Sequence, residues 1–268
     1  MLRKAALKIS LAEPTETLLD MVRLMQGFGT VELHLLHVTS GSDRKLSRRA
    51  KRLKELAGLF ETEQMKVQCE VSHGPVPGRI VSMAKERDVD YLGLYWMRKA
   101  LLAQAILGSI DADILRQCDM PILVYNRSLM SASTRLKRIL YATDFQATDQ
   151  RVLPYLQSRD LNAESLVLLN VGRRAPDPAT EHSRIKWAQK HLDWLVEQCE
   201  GHFDQVDTLQ AIGNYRSQIL KKAHRQKADL IVIGKADAPK PLRNLMGSTA
   251  EAIADRSKRS VFIVPGVH

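Results

Sequence analysis

One segment combines glycines, cations and a helix-like continuation in a way that could bind a phosphate. It is GKADAPKPLRNLMGS, residues 234–248, which follows the apolar run DLIVI. Backbone N–H groups of such a loop, and of the helix after it, bind phosphate oxygens in many α/β proteins. Lys235, Lys240 and Arg243 favour an anion, whereas the carboxylate of Asp237 opposes one. Two like charges about 4 Å apart repel by roughly 4 kcal/mol at an effective dielectric near 20.

The elements that must position this loop occur twice in the chain. SHGPVPGRIVSMAKERDVDY aligns without a gap to AIGNYRSQILKKAHRQKADL, and the pair Gly108-Ser109 falls on Gly247-Ser248. Nearer the start of each copy, LHLLHV aligns with LVLLNV and SLAEPT with TDFQAT. The repeat predicts two domains, residues 1–126 and 136–268, joined by the small polar segment NRSLMSASTR.

Each copy alternates short apolar runs with amphipathic stretches. In the second copy, RILYAT, SLVLLNV, DLIVI and SVFIVP are rich in Val, Ile and Leu, as is typical of strands covered on both faces. Helical patterns separate them. This order predicts an α/β fold of two tandem doubly wound domains, each with a five-stranded, mostly parallel sheet and helices on both faces.

Composition restricts the class of protein. The chain has 268 residues, of which 44% are hydrophobic, and no long apolar run, so we expect a cytoplasmic globular protein. Three cysteines without a CxxC pair suggest neither disulfides nor a cysteine-based zinc site. The net charge of +10 raises the alternative of a nucleic-acid or membrane-surface binder. The densest basic cluster, DRKLSRRAKRLKEL, has helical apolar spacing and no interleaved aromatic residues, so a solvated helix face is the favoured interpretation and nucleic acid an unlikely partner.

The duplicated unit, with a Gly-Ser pair before its last helix and a final strand such as VFIVP, resembles a universal stress protein. The resemblance covers nearly the whole chain and identifies it as a tandem member of that family. It implies a glycine-rich nucleotide loop, an aspartate after the first strand and a valine after the second. Members that lack part of the glycine set are implied to be dimeric modules that bind protein partners.

The second copy matches much of the pattern that the resemblance implies. Asp144 matches the aspartate and Val171 the valine, while Gly234, Gly247 and Ser248 fall on the loop signature at its spacing. Asp237 replaces the middle glycine, and Thr249 completes the candidate cofactor-binding set. The resemblance therefore implies ATP or AMP as a ligand of this domain, with adenosine or AMP easier to accept than ATP because of Asp237.

The first copy departs further from the pattern. The alignment places Leu11 at the aspartate position, and Tyr95 and Arg98 at the first two glycines. We expect the bulky Tyr95 to close this pocket, so that the first domain binds no nucleotide. The resemblance then implies a structural role, with the last strands of the two domains paired inside one chain and a further homodimer as an open option.

A structural interpretation stays open for the best-matched residues. Ser248 with Glu251 forms a capping box that would stabilise a helix without any ligand. Asp144 could likewise cap the first helix of its domain. A nucleotide site and a purely structural turn are both consistent with these residues.

The sequence offers little support for an enzyme. It contains no GxSxG elbow, HExxH motif or Walker A loop, so a non-enzymatic protein without a metal is predicted. Slow ATP hydrolysis, with Asp237 as a Mg²⁺ ligand, is kept as an alternative. The leading hypothesis is a stress-response module that senses an adenine nucleotide, and the other is a protein-interaction scaffold without a ligand.

Overall fold

The computed structural model describes residues 1–40, 46–96, 110–126, 136–235 and 249–266. The described chain forms two compact units, called here the N-terminal unit, which ends at Asn126, and the C-terminal unit, which begins at Leu136. The predicted pairing of the last strands concerns the relation between the units and stays a prediction.

The N-terminal unit alternates five strands with four helices. Its strands are β1 Lys4–Lys8, β2 Glu32–Thr39, β3 Lys66–His73, β4 Tyr91–Tyr95 and β5 Ile122–Tyr125. Its helices are α1 Thr15–Gly27, α2 Leu46–Phe60, α3 Val76–Glu86 and α4 Ile110–Gln117.

The C-terminal unit repeats this order. Its strands are β6 Leu136–Thr143, β7 Ala163–Gly172, β8 Gln205–Ile212, β9 Leu230–Lys235 and β10 Ser260–Pro265. Its helices are α5 Asp149–Gln157, α6 Pro178–Cys199, α7 Tyr215–Arg225 and α8 Thr249–Arg256, with a short 3-10 turn at Arg159–Leu161.

Both units have the same sheet topology. The strand order is β3-β2-β1-β4-β5 in the N-terminal unit and β8-β7-β6-β9-β10 in the C-terminal unit. Every strand pair described within a unit is parallel. Helices α1 and α2 pack together, as do α3 and α4. The predicted fold class, two doubly wound α/β domains, is confirmed.

The strand order fixes where a ligand can bind. The chain leaves β1 toward β2 on one side and returns to β4 on the other, and β6 lies between β7 and β9 in the same way. At such a reversal the loops after the strands diverge and leave a crevice at the carboxyl ends. Each unit therefore has one crevice placed by topology alone.

The apolar runs of the sequence are buried as expected for strands covered on both faces. Residues 33–39 of β2 are all buried, although His34 and His37 interrupt the aliphatic pattern. His34 Nε2 lies 2.7 Å from Glu32 Oε1, which gives that buried imidazole a polar partner. None of the described helices combines the length and apolarity that a membrane crossing requires.

The cysteine in α6 provides a test of core burial. Cys199 is fully buried, and burial raises the pKa of its thiol to about 11. At pH 8 only about one such thiol in a thousand is ionised, and the thiolate is the reactive form. In the variant Cys69→Ala/Cys118→Ala, we expect a thiol reagent to label Cys199 only after unfolding in guanidinium. Labelling of the native variant at the rate of a free thiol would contradict this packing.

Candidate functional site

Three of the predicted site residues lie side by side at the carboxyl edge of the C-terminal sheet. Thr143 is paired with Asn170 on β7, and Ala142 with Ile233 on β9. The residues that follow these partners are Asp144, Val171 and Gly234. Parallel pairing therefore brings together residues that are far apart in the chain, at the crevice that the strand order creates.

A buried carboxylate holds the turn that presents Asp144. Asp149, in the first turn of α5, is 6% exposed and accepts hydrogen bonds from the Tyr141 hydroxyl and from Thr143 Oγ1, the latter 2.7 Å from Oδ2. Thr143 Oγ1 in turn accepts the N–H of Phe145 at 2.9 Å. Burial raises the pKa of Asp149 above its usual range, despite the hydrogen bonds that favour the ionised form.

The turn itself has an uncommon backbone. Phe145 has a φ of 59°, in the left-handed region that side chains with a Cβ seldom adopt. The hydrogen bond from Phe145 N to Thr143 Oγ1 stabilises this conformation. As a result Asp144 lies at the tip of a fixed turn and not on a loose loop.

The carboxylate of Asp144 is available to a ligand. Asp144 is exposed, and its Oδ1 accepts long hydrogen bonds of 3.2 Å from Gln146 N and from Thr148 Oγ1. No donor among the described residues is bonded to Oδ2. This oxygen can accept a hydrogen bond from a ligand hydroxyl, and the two existing bonds orient it.

An aromatic cluster, formed by Phe145, Trp187 and His191, stands beside Asp144. The Trp187 ring is 4.1 Å from the His191 ring and 5.3 Å, edge-on, from the Phe145 ring. Trp187 is 53% exposed, and His191 Nδ1 donates to the Trp187 carbonyl at 2.8 Å. An exposed, oriented indole offers a flat apolar surface to a planar ligand.

The cluster was not among the residues predicted from the sequence. Its pattern is the spacing of four residues from Trp187 to His191, which places both on one face of α6. Phe145 directly follows Asp144 in sequence. This aromatic residue beside Asp144, which is the candidate partner of the ribose, is the sequence feature that could have indicated the cluster.

The end of β7 is fastened to the start of α6, the helix that carries Trp187. Arg184 Nη2 lies 2.8 Å from Glu181 Oε1, and Ala175 N donates to Glu181 Oε2 at 2.9 Å. The hydrogen bond from Arg184 lowers the pKa of Glu181 to about 2. An added Cβ at Gly172 would lie 2.5 Å from Arg184 Nη1, so the guanidinium packs directly on the backbone of this glycine.

Val171 and Gly234 contribute backbone more than side chain. Val171 is 5% exposed, which leaves its side chain in the core. A Cβ added at Gly234 would lie 2.7 Å from Thr148 Cβ. Packing against Thr148, which donates to Asp144, is therefore a reason for glycine at this position that requires no ligand.

The remaining predicted residues are less informative. Asp237, Gly247 and Ser248 lie outside the described residues. Thr249 is exposed at the start of α8. Asp144, Val171 and Gly234 are therefore the part of the predicted set that the structure brings together.

The alignment of the first copy was wrong by one residue at the aspartate position. Ala5 pairs with Tyr91, and Ile139 pairs with Leu230, the repeat equivalent of Tyr91. Ala5 therefore corresponds to Ile139. Five residues further along each copy, Ser10 and not Leu11 is the equivalent of Asp144.

Hydrogen bonds and backbone angles support the corrected register. Ser10 Oγ accepts the N–H two residues later at 3.2 Å, as Asp144 Oδ1 does in the other unit. Leu11, with a φ of 68°, matches the left-handed Phe145. An alignment of the two copies by sequence needs no gap here, because neither SLAEPT nor TDFQAT contains a residue pattern that fixes their alignment.

The N-terminal unit also differs from the expectation of a filled pocket. A cleft of about 530 Å³ lies at the carboxyl ends of β1 and β2, and Leu11 and Val38 line it. Tyr95, which was expected to close it, is not among the described lining residues. The left-handed turn at Leu11 is part of the wall and does not plug the cleft. Whether this unit takes a nucleotide stays a prediction.

Metal ligands are not concentrated in the part of the chain that the structure describes. No group of three or more His, Cys, Asp or Glu side chains there has the geometry to hold an ion. The aromatic stacking of His191 and its bond to the Trp187 carbonyl account for that histidine instead.

Comparison with known proteins shows the family. The model of the universal stress protein family matches twice, over residues 15–126 and 135–265. A search of the curated proteins finds no match.

Solved structures show the same fold over the whole chain. A universal stress protein from Archaeoglobus fulgidus has a TM-score of 0.73 and 19% identity, covering 98% of this chain and 96% of its own. One described as a putative universal stress protein from Pseudomonas aeruginosa has a TM-score of 0.70 and 18% identity, covering 98% of this chain and 93% of its own. At these identities the likeness concerns the fold.

Replacement of Gly234 by alanine tests the packing reason for that glycine. Because the new Cβ would overlap Thr148 Cβ, we expect Gly234→Ala to lower the free energy of unfolding by about 1–3 kcal/mol. Gly58 in α2 has no atom within 4 Å of its added Cβ, so Gly58→Ala should stabilise by about 0.5–1 kcal/mol. Urea denaturation measures both, and equal effects at the two sites would disprove the contact.

Asp149 predicts a distinctive pH dependence of stability. Its folded-state pKa is raised, so the folded protein binds the proton more readily than the unfolded chain. Stability attributable to this group therefore increases as the pH falls through the folded pKa toward the usual Asp value. We expect the free energy of unfolding of the wild type, minus that of Asp149→Asn, to increase between pH 7 and pH 4. A difference that decreases as the pH is lowered from 7 to 4 would show that folding lowers the pKa of Asp149.

Proposed function

Because the chain belongs to the universal stress protein family, we propose that it is a non-enzymatic universal stress protein whose C-terminal unit binds an adenine nucleotide. One observation carries the proposal: the exposed Asp144 carboxylate lies at the strand crossover with an oxygen that no described residue bonds, and Phe145, which follows it, contacts the exposed ring of Trp187. A ribose hydroxyl needs an acceptor, and a purine needs a flat apolar surface.

Each part of the ligand has a counterpart in this arrangement. Asp144 Oδ2 would accept from the ribose, while Thr148 and the backbone of Gln146 hold the carboxylate in place. Trp187 would stack on the base, as aromatic side chains do in other nucleotide-binding sites. Val171 lies at the same edge, with its side chain in the core.

The resemblance to the family assigns the phosphate end of the ligand to residues 234–248. The loop of residues 236–248 carries Asp237 among several cations, and a carboxylate near a phosphate costs affinity. Adenosine or AMP is therefore the preferred ligand over ATP, and Asp237→Gly should favour ATP. A chain that senses a nucleotide without hydrolysing it needs no Mg²⁺ ligand in this loop.

Two other functions predict different binding behaviour. A protein-interaction scaffold, paired through its last strands or as a homodimer in the cytoplasm, would bind no nucleotide at all. A nucleic-acid binder would shift unrelated DNA or RNA in a gel, with strong dependence on salt. The net charge of +10 supports that alternative only in general terms.

Calorimetric titration of the full chain with adenosine, AMP and ATP tests the proposal. We expect saturable binding of adenosine and AMP, and at least a tenfold loss of affinity in Asp144→Asn, because a hydrogen bond to a charged group is worth about 1.5–3 kcal/mol. Trp187→Ala should weaken binding by a similar factor through lost stacking.

Ser10→Ala, at the equivalent position of the N-terminal unit, is the matched control and should leave the affinity unchanged. If none of the three ligands binds saturably to the wild type, or if Asp144→Asn and Ser10→Ala behave alike, the nucleotide proposal is wrong. Release of phosphate from ATP by the wild type, lost in Asp237→Asn, would instead favour slow hydrolysis.

A further inference from the structure

The cleft of the N-terminal unit is a candidate site of its own. Its volume of about 530 Å³ is within the usual range for small-molecule sites. It lies at the carboxyl ends of β1 and β2, and helices α2, α3 and α4 each contribute to its wall.

One side of the cleft is strongly cationic. Arg48, Arg49 and Arg52 from α2 line it, and none of the three forms an ion pair with a described carboxylate. The remaining cation, Lys8, is already paired with Asp111 at 2.7 Å. No Asp or Glu is among the described lining residues, so the three arginines give this side of the cleft a positive charge. Guanidinium forks suit the oxygens of phosphate and carboxylate groups.

A buried histidine in the wall lacks a partner. His37 is 5% exposed, and its Nδ1 lies 2.8 Å from the Ile9 carbonyl, to which it donates. Its Nε2 is buried without a hydrogen bond to any described residue. A buried polar atom without a partner is costly, so a ligand group that reached Nε2 would relieve that cost. As a neutral ring Nε2 would accept a hydrogen bond, and as a charged ring it would donate one to an anion.

The wall also has an apolar part beside the polar residues Ser10, Thr39 and Ser40. Val38, Val76 and Ile110 contribute to this part, whereas Ile9 and Ile80 are almost fully buried behind it. A ligand that fits must therefore combine an anionic group with an apolar body, since a fully hydrated ion would leave this surface unused.

The ligand differs from that proposed for the C-terminal unit. Leu53 and Leu192 are buried repeat equivalents on α2 and α6, and this alignment places Arg48 and Arg52 where Trp187 and His191 lie. Two cations thus replace the aromatic surface. Ser10 replaces the carboxylate of Asp144, which removes the charged acceptor for a ribose.

We propose that the N-terminal unit binds a small organic anion, with its phosphate or carboxylate group on Arg48, Arg49 and Arg52 and its apolar body against Val76 and Ile110. His37 Nε2 contacts the same ligand. The site is independent of the proposed nucleotide site, because its residues belong to the other unit.

Titration of the full chain with phenyl phosphate and with benzoate tests the proposal and distinguishes the two anionic groups. We expect saturable binding of at least one of them at millimolar concentration or below, and weaker binding of inorganic phosphate and of phenol. In Arg48→Gln/Arg52→Gln the affinity should fall at least about tenfold, because charged hydrogen bonds are lost.

Lys51→Gln/Lys54→Gln removes the same charge from exposed positions of the same helix and is the matched control, with less than a twofold change expected. Asp144→Asn should also bind the probe unchanged, which separates this site from the nucleotide site. The proposal is overturned if neither phenyl phosphate nor benzoate binds saturably, if both double variants lose affinity equally, or if inorganic phosphate binds as tightly as phenyl phosphate.

Discussion

The buried carboxylate of Asp149 is the constraint on which the C-terminal crevice depends. Held by Tyr141 and Thr143, it fixes the start of α5 against the end of β6, and through the Thr143 hydroxyl it fixes the left-handed Phe145. An ionisable group with so little water around it is costly, and its hydrogen bonds offset that cost only while the geometry is kept. The geometry of the turn that presents Asp144 is therefore well specified, because a displaced turn would leave this buried polar group without partners.

The two units use one framework for different surfaces. Both have the crossover between their first and fourth strands and the same turn after the first strand, with Ser10 or Asp144 accepting the N–H two residues on. The chemistry differs at the helix that follows the second strand, where Arg48 and Arg52 stand in place of Trp187 and His191. Since these positions are on the helix surface, they can change without disturbing the sheet. A duplicated fold can thus acquire two ligand preferences at little cost in stability.

The distribution of charge follows from the same division. The basic cluster of α2 buries Leu53, Leu56, Ala57 and Phe60 against its unit, which is the amphipathic pattern that the sequence predicts. The opposite side of α2 is not entirely a solvated surface, because three of its arginines line the cleft of the N-terminal unit. A net charge of +10 spread over a surface gives diffuse attraction to polyanions, whereas three arginines at one cleft favour a small anion.

The sequence by itself determined the duplication, the doubly wound α/β class and the family, because each depends on patterns repeated over many residues. It also found Asp144, Val171 and Gly234, which parallel pairing brings to one edge. Only the tertiary structure decided that Ser10 and not Leu11 is the equivalent of Asp144, since a one-residue register is set by hydrogen bonds to neighbouring strands. The aromatic cluster and the cationic cleft likewise join side chains from separate elements, and their proximity depends on how helices pack on the sheet, which local spacing does not specify.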